Sequence, residues 1–167
     1  MKSRMSSLLV AGTVAVLLIG GLSACEPAPT CFGRNATIVG TSGHDTLIGT
    51  AGVDVIVGLG GDDVIEGRDG IDYICGGDGS DRLTGNLQWR FGQPADGGNF
   101  IGGGNGFDIV AGTESRDQLS AGANDDWVQS FGGGDTVNGG AHDEEDICQV
   151  DAQADQVTNC EEVQDVY

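Results

Sequence analysis

The sequence predicts an all-β chain wound as a parallel β-roll, a β-solenoid in which two nine-residue repeats make one coil. The prediction rests on a high glycine content, an excess of acidic residues and a motif that returns every nine residues. Glycine accounts for 31 of 167 residues, whereas only 5% are aromatic. Because every glycine raises the backbone entropy that folding must overcome, this composition argues against an ordinary helical or α/β domain.

The charge balance indicates which partners the chain attracts. It carries 26 Asp and Glu against 7 Lys and Arg, a formal net charge of -19. Nucleic acids and anionic membrane surfaces both require a basic face on the protein, so neither is an expected electrostatic partner. Cations are the expected partners.

The segment 1–24 is predicted to be a bacterial export signal that is removed. A basic start precedes the apolar run Leu8–Leu22, which is too short to span a bilayer comfortably. The run ends in Leu22-Ser23-Ala24-Cys25, which resembles the lipobox of bacterial lipoproteins, whose cysteine is diacylated. The alternative is ordinary cleavage before Cys25, which leaves a free thiol. We expect an extracytoplasmic protein, anchored to the cell membrane only through the lipid on Cys25 or released.

The number of cysteines agrees with a lipidated Cys25. Five cysteines are an odd number for an exported protein, and lipidation of one leaves four that can pair in an oxidising compartment. Of the three possible pairings, the local Cys148–Cys160 is favoured, which leaves Cys31 to pair with Cys75. A thiolate metal site is the competing interpretation, and it is disfavoured because no C-x-x-C occurs.

A nine-residue repeat organises the rest of the chain. Written in nines from Thr41, the sequence reads TSGHDTLIG, TAGVDVIVG, LGGDDVIEG, RDGIDYICG and GDGSDRLTG, with Gly third, Asp fifth, an aliphatic residue seventh and Gly ninth. A short strand supplies one inward aliphatic side chain, and a Gly/Asp loop turns the chain. The seventh-position column runs through Ile38, Leu47, Ile56, Ile65, Ile74, Leu83, Gly92, Ile101, Val110, Leu119, Val128 and Val137.

The predicted boundaries follow this period. Residues 25–37 form a tether and N-terminal cap, and residues 38–142 form the roll, with an irregular segment at 85–93 that still counts as one repeat. The period slips by two residues near 143–145, and residues 143–167 form a degenerate C-terminal cap.

The fifth-position residues are predicted to stack into two ladders, because loops two repeats apart lie above one another at about 4.8 Å. One ladder contains Asp45, Asp63, Asp81, Asn99, Asp117 and Asp135, and the other contains Asp54, Asp72, Arg90, Asp108 and Asp126. Arg90 stands where an aspartate is expected. Either its guanidinium replaces a cation between Asp72 and Asp108, or the segment around Trp89 bulges out as a loop.

Stacked carboxylates repel one another, and the chain after the export signal contains no lysine to neutralise them. A bound cation is therefore expected. Carboxylate and carbonyl oxygens, without histidine or thiolate, select a hard cation with a flexible coordination shell, and Ca²⁺ fits this description better than Mg²⁺ or a transition metal.

Over residues 38–140 the repeats resemble the G-G-x-G-x-D-x-U-x nonapeptide of RTX (haemolysin-type) calcium-binding proteins. The resemblance implies several Ca²⁺ ions between stacked loops, and a roll that folds as calcium binds. The implied sites lie between five pairs of aspartates: Asp45 and Asp63, Asp63 and Asp81, Asp54 and Asp72, Asp108 and Asp126, and Asp117 and Asp135. The resemblance also implies carbonyl ligands from the loop glycines Gly43, Gly52, Gly61, Gly70, Gly79 and Gly106.

The expected function is therefore calcium binding that stabilises the fold. An enzyme is not expected, because the sequence contains no H-E-x-x-H, G-x-S-x-G or G-x-G-x-x-G and the repeats leave no room for a catalytic domain. The alternative is a cell-surface adhesion or interaction module. No protein partner can be named from the sequence.

Overall fold

The computed structural model describes residues 27–86, 97–141, 145–151 and 156–166. The predicted export signal, Cys25 and Arg90 lie outside these ranges. The part of the chain that the structure describes contains no apolar helix of membrane-spanning length.

The described residues form short β-strands joined by turns and bends. The strands are β1 Thr30–Cys31, β2 Arg34–Asn35, β3 Ile38–Val39, β4 Thr46–Ile48, β5 Val55–Gly60, β6 Val64–Glu66, β7 Tyr73–Asp78, β8 Arg82–Thr84, β9 Phe100–Asn105, β10 Ile109–Ala111, β11 Gln118–Ala123, β12 Trp127–Gln129, β13 Thr136–Ala141, β14 Ile147–Asp151, β15 Gln156–Thr158 and β16 Glu162–Val166.

Two parallel sheets of seven strands form the body of the molecule. One contains the odd-numbered strands from β3 to β15, and the other contains the even-numbered strands from β4 to β16. Consecutive strands therefore alternate between the sheets, and each coil contributes one strand to each sheet. The predicted all-β parallel roll is confirmed.

The core is a single column of aliphatic side chains between the two sheets. The seventh-position residues Ile56, Ile65, Ile74, Leu83, Ile101, Val110, Val128 and Val137 are all fully buried. Ile38 and Leu47, at the N-terminal end of the column, are partly buried. Each fully buried side chain contributes about 1.5–3 kcal/mol, so this narrow core depends on its regular register.

The register between coils differs from the prediction at one step. Most strands pair at an offset of two repeats, as in Val55 with Tyr73. Tyr73, however, pairs with Phe100, and Arg82 pairs with Ile109, an offset of three repeats. The prediction that the segment near 85–93 counts as one repeat of the stack is therefore wrong. The physical reason is the column itself, because Gly92 has no side chain to fill the inward place that Ile101 takes against Ile74.

The register at the C-terminal end is consistent with the predicted two-residue slip. Trp127 pairs with Ile147, and Thr136 pairs with Gln156, so both offsets exceed two repeats by the length of that slip. Strands β14, β15 and β16 continue the two sheets.

Both predicted disulfides are present and lie near the two ends of the roll. Cys31–Cys75 joins the antiparallel β1–β2 hairpin to strand β7. Beside it, Tyr73 stacks on Phe100 with ring centroids 4.7 Å apart, and the Arg34 guanidinium lies 4.1 Å from the centre of the Tyr73 ring. Cys148–Cys160 bridges the C-terminal coils.

Candidate metal centre

Loops of the roll stack along two edges, and each loop places one fifth-position residue in a hydrogen-bonded ladder. The backbone N–H of each such residue donates to the side-chain Oδ1 of the corresponding residue in the next coil. We call edge A the ladder of Asp45, Asp63, Asp81, Asp108, Asp126 and Asp146, with N–H to Oδ1 distances of 2.8–2.9 Å. Edge B is the ladder of Asp54, Asp72, Asn99, Asp117 and Asp135, with distances of 2.6–2.9 Å.

The membership of these ladders corrects the prediction. The three-repeat step moves every later repeat to the opposite edge, so Asp81 is followed by Asp108 and Asp72 is followed by Asn99. Asp72 and Asp108 therefore lie on different edges, and the place between them that is predicted for Arg90 does not exist. The five predicted aspartate pairs nevertheless all lie in successive loops, because none of them crosses that step.

The second carboxylate oxygen of four edge A aspartates is buried without a hydrogen-bond partner. The Oδ2 atoms concerned belong to Asp63, Asp81, Asp108 and Asp126. These residues are at most 2% exposed. A buried carboxylate oxygen without a partner is costly unless a proton or a positive charge compensates it, so these four atoms require one or the other in the folded state.

A glycine at the ninth position of the preceding repeat borders each of the first three of these oxygens. A Cβ added to Gly58 would collide with Asp63 Oδ2 and with the carbonyl oxygen of Gly76 in the next coil. Gly76 stands in the same relation to Asp81 Oδ2 and the Gly103 carbonyl oxygen. Each of these glycines therefore keeps open a space that a carboxylate oxygen and a carbonyl oxygen border together. This donor set fits a hard cation.

The pKa shifts of the edge A carboxyls also favour a cation at these loops. Burial is the main cause that raises the pKa of Asp63 and Asp81, and neighbouring carboxylates add to it. Burial likewise raises the pKa of Asp108 and of Asp126 to about 7, with repulsion from Asp81, Asp125, Asp126 and Asp146 as a further cause. These carboxyls need either a proton or a cation in the folded protein.

The predicted glycine ligands divide into two groups. Gly61, Gly70, Gly79 and Gly106 adopt φ angles of 95–128°, a left-handed conformation that turns the loop backbone. Gly43 and Gly52 are not in that conformation. Among the described residues, no three His, Cys, Asp or Glu side chains converge on one point. A cation at these loops would therefore be held by single carboxylates together with backbone carbonyls.

Sequence reasoning missed three threonines that bind the carboxylates. Thr41, Thr50 and Thr113 occupy the first position of their repeats, four residues before Asp45, Asp54 and Asp117. Each threonine donates its N–H, at 2.6 Å, and its hydroxyl, at 2.9–3.0 Å, to Oδ2 of that aspartate. The T-x-x-x-D spacing is visible in the sequence and could have identified them.

Comparison with known families gives one match to this arrangement. The family model of the RTX calcium-binding nonapeptide repeat (4 copies) matches residues 39–74, 57–88 and 102–137, which together span just over half of the chain. No curated protein and no solved structure matched the chain. The matched segments contain the ladder aspartates from Asp45 to Asp81 and from Asp108 to Asp135. The chain belongs to the family of RTX calcium-binding nonapeptide repeat proteins.

Proposed function

We propose that this protein binds several Ca²⁺ ions in the loops of the roll, and that the bound calcium stabilises the fold. The observation that carries the proposal is the run of buried, unpartnered Oδ2 atoms on edge A, of which those of Asp63, Asp81 and Asp108 each lie close to a glycine that leaves space and to a backbone carbonyl. Asp63, Asp81, Asp108 and Asp126 would supply the carboxylate ligands. Ca²⁺ accepts six to eight oxygen ligands in flexible geometry, which suits carbonyl-rich loops better than the strict octahedron of Mg²⁺.

Calcium binding would be coupled to folding. The chain has a net charge of -19, and its core is one side chain wide, so the calcium-free roll has strong self-repulsion and little burial to oppose it. We expect affinities on the order of 10⁻⁴ to 10⁻³ M, as in other extracellular calcium modules.

Far-UV circular dichroism of the purified protein tests this proposal. We expect the β signal to decrease in chelator and to return on addition of Ca²⁺ but not of Mg²⁺. An unchanged spectrum in chelator, combined with no calcium binding by calorimetry, would refute the proposed function.

We also propose that the protein acts outside the cytoplasm, anchored through a lipid on Cys25. The two disulfides support this location, because disulfides persist in oxidising compartments. Intact-mass analysis of the protein from a bacterial host, compared with a Cys25→Ala variant, tests it. An unmodified N-terminus ahead of residue 25 would contradict the anchor.

We also propose that the protein binds a cation and does not act as an enzyme. The loops of edge A supply backbone carbonyls and the carboxylates of Asp63, Asp81, Asp108 and Asp126. These groups hold a cation but offer no paired acid and base. A broad hydrolase screen of the calcium-loaded protein should show no activity above that of the chelated protein.

A further inference from the structure

The loops that the structure describes in full are of two kinds, and their backbones differ. In one kind, the first and third positions of the repeat both adopt left-handed φ angles. We call these left-handed loops, and they end in Asp63, Asp72, Asp81, Asp108, Asp126 and Asp135. Their first positions have φ angles of 63–132°, and their third positions have φ angles of 80–128°. In the other kind, the threonine loops that end in Asp45, Asp54 and Asp117, neither position is left-handed.

A threonine loop supplies hydrogen-bond donors to its own carboxylate. In the loop that ends in Asp54, the Thr50 N–H and hydroxyl both donate to Asp54 Oδ2, at 2.6 and 2.9 Å. The same hydroxyl oxygen accepts the Gly52 N–H at 3.1 Å, so the side chain closes the turn as well. The Thr113 loop repeats this pattern with Asp117 and Ser115. Two donors on Oδ2 satisfy the oxygen without a cation.

In a left-handed loop, the backbone N–H of the first position donates to a different acceptor. The Arg68 N–H at the first position donates to the Gly85 carbonyl of the next coil, at 2.7 Å. On edge A the first-position residues pair with one another along the odd-numbered sheet, Leu59 with Gly77 and Gly77 with Gly104. None of these side chains carries a hydroxyl. The Oδ2 atoms of Asp63, Asp81, Asp108 and Asp126 are therefore left without a donor.

The two kinds of loop are distributed unequally between the edges. On edge A, four left-handed loops follow one another without interruption, ending in Asp63, Asp81, Asp108 and Asp126. Among the described loops of edge B, the neutral Asn99 and the threonine loop of Asp117 separate Asp72 from Asp135, so no two left-handed loops there are neighbours. A Ca²⁺ ion needs six to eight oxygens, and a site between two coils requires that both loops offer them.

We infer that calcium is confined to the run of left-handed loops on edge A, and that on edge B the threonine loops of Asp54 and Asp117 and the neutral Asn99 leave no pair of neighbouring loops that can hold a cation. The inference rests on the proposed function and narrows it. The ions lie along the run from Asp63 to Asp126, including the step from Asp81 to Asp108 created by the change of register. The pairs Asp54 with Asp72 and Asp117 with Asp135 hold no calcium. The roll thus has one edge that binds calcium and one edge that does not.

Calcium titration of matched variants by isothermal calorimetry tests this inference. On edge A the variants are Asp81→Asn and Asp108→Asn, and on edge B they are Asp54→Asn and Asp117→Asn. We expect the edge A variants to lose sites, or to bind calcium at least about tenfold more weakly, because a direct ligand is removed. We expect the edge B variants to keep the wild-type stoichiometry and an affinity within about twofold.

Two further variants leave every carboxylate in place, so the test does not depend on the folding of the asparagine variants. Thr50→Val and Thr113→Val remove the hydroxyl but preserve the shape of the side chain, and Thr46→Val is the control on an exposed strand threonine that lies outside the loops. We expect the first two to lower Tm equally in chelator and in calcium. The calcium-induced rise in Tm, which reports binding to the folded state, stays as in the wild type.

The outcomes separate the two proposals. A wild-type protein that binds no calcium refutes the proposed function and this inference together. Calcium binding by the wild type that falls equally in the edge A and edge B variants overturns the inference alone. Loss of the calcium-induced rise in Tm in Thr50→Val or Thr113→Val overturns it as well.

Discussion

Edges A and B are built from the same repeat, yet left-handed loops follow one another on edge A and are separated on edge B. Both stack one residue per coil, and both use Oδ1 as the acceptor of a backbone N–H from the preceding coil. Oδ2 is unpartnered in Asp63 and Asp81 of edge A, whereas it accepts from a threonine in Asp54 and Asp117 of edge B and in Asp45 of edge A. The residue four positions before each of these aspartates therefore determines whether its second oxygen has a donor.

The two edges also differ in the strands that lead into them. Strands that lead into edge A loops, such as β5 and β7, contain six residues, whereas β6 and β8 on the way to edge B contain three. The longer strands continue through first-position residues that pair between coils, as Leu59 does with Gly77. A left-handed first position is not sufficient for this, because Arg68 is left-handed and β6 ends before it.

The largest expected effect is the pH dependence of the calcium-free protein, because it involves four edge A carboxyls together. The pKa of Asp63, Asp81, Asp108 and Asp126 is raised in the folded state, so the folded chain binds protons more tightly than the unfolded chain. This contribution to the free energy of unfolding is complete below about pH 4 and is lost as the pH rises toward 7. Urea unfolding in chelator should therefore show higher stability at pH 5 than at pH 8.

Calcium and a single variant provide the controls for this prediction. Saturating calcium should remove the loss of stability between pH 5 and 8, because the cation replaces the protons. Asp108→Asn should have a weaker pH dependence than the wild type in chelator. A calcium-free protein that is equally stable at pH 5 and pH 8 would contradict the account of edge A.

A smaller effect is expected from one methyl group at the third position of the repeat. A Cβ on Gly79 of edge A would collide with the backbone of Gly61, and φ at Gly79 is 128°. We expect Gly79→Ala to lower the free energy of unfolding by about 2–5 kcal/mol, from left-handed strain and overpacking. The matched Gly52→Ala on edge B has only the Thr50 hydroxyl near it, at 3.7 Å, and should change stability by less than about 1 kcal/mol. Equal losses in urea unfolding of the two variants would contradict the division into two kinds of loop.

The smallest effect is expected from removal of one hydroxyl on edge B. Thr113→Val removes one of the donors to Asp117 Oδ2, and both residues are buried. Loss of a buried hydrogen bond to a charged group should cost about 1–3 kcal/mol, and the cost should be the same with and without calcium. Thermal unfolding in both conditions measures it. A cost that appears only in chelator would indicate that calcium does bind at this loop.

Much of the fold could be predicted because the repeat constrains the chain locally. The seventh-position column placed Ile56, Ile74 and Val110 in the core, and all three are fully buried. The five aspartate pairs could be predicted for the same reason, because a two-repeat offset within an unbroken stretch admits one partner. The ladders could not be assigned across residues 85–93, because an offset of three repeats presents the same side-chain pattern as an offset of two.

The threonine loops show a second limit. The spacing between Thr50 and Asp54 was present in the sequence, but a threonine in place of glycine reads as an ordinary departure from the repeat. The role of Thr50 depends on the φ angles of residues 50 and 52, which the neighbouring coils help to set.

The sequence by itself determined the class of fold, the inward column and the chemistry of the loops, because a nine-residue period with glycine and aspartate at fixed positions leaves few ways to bury aliphatic side chains. Only the tertiary structure decided which edge each aspartate joins and which carboxylate oxygens remain without a partner. Both depend on contacts between coils that are two or three repeats apart, and those contacts are selected by whether an inward side chain is available to continue the column.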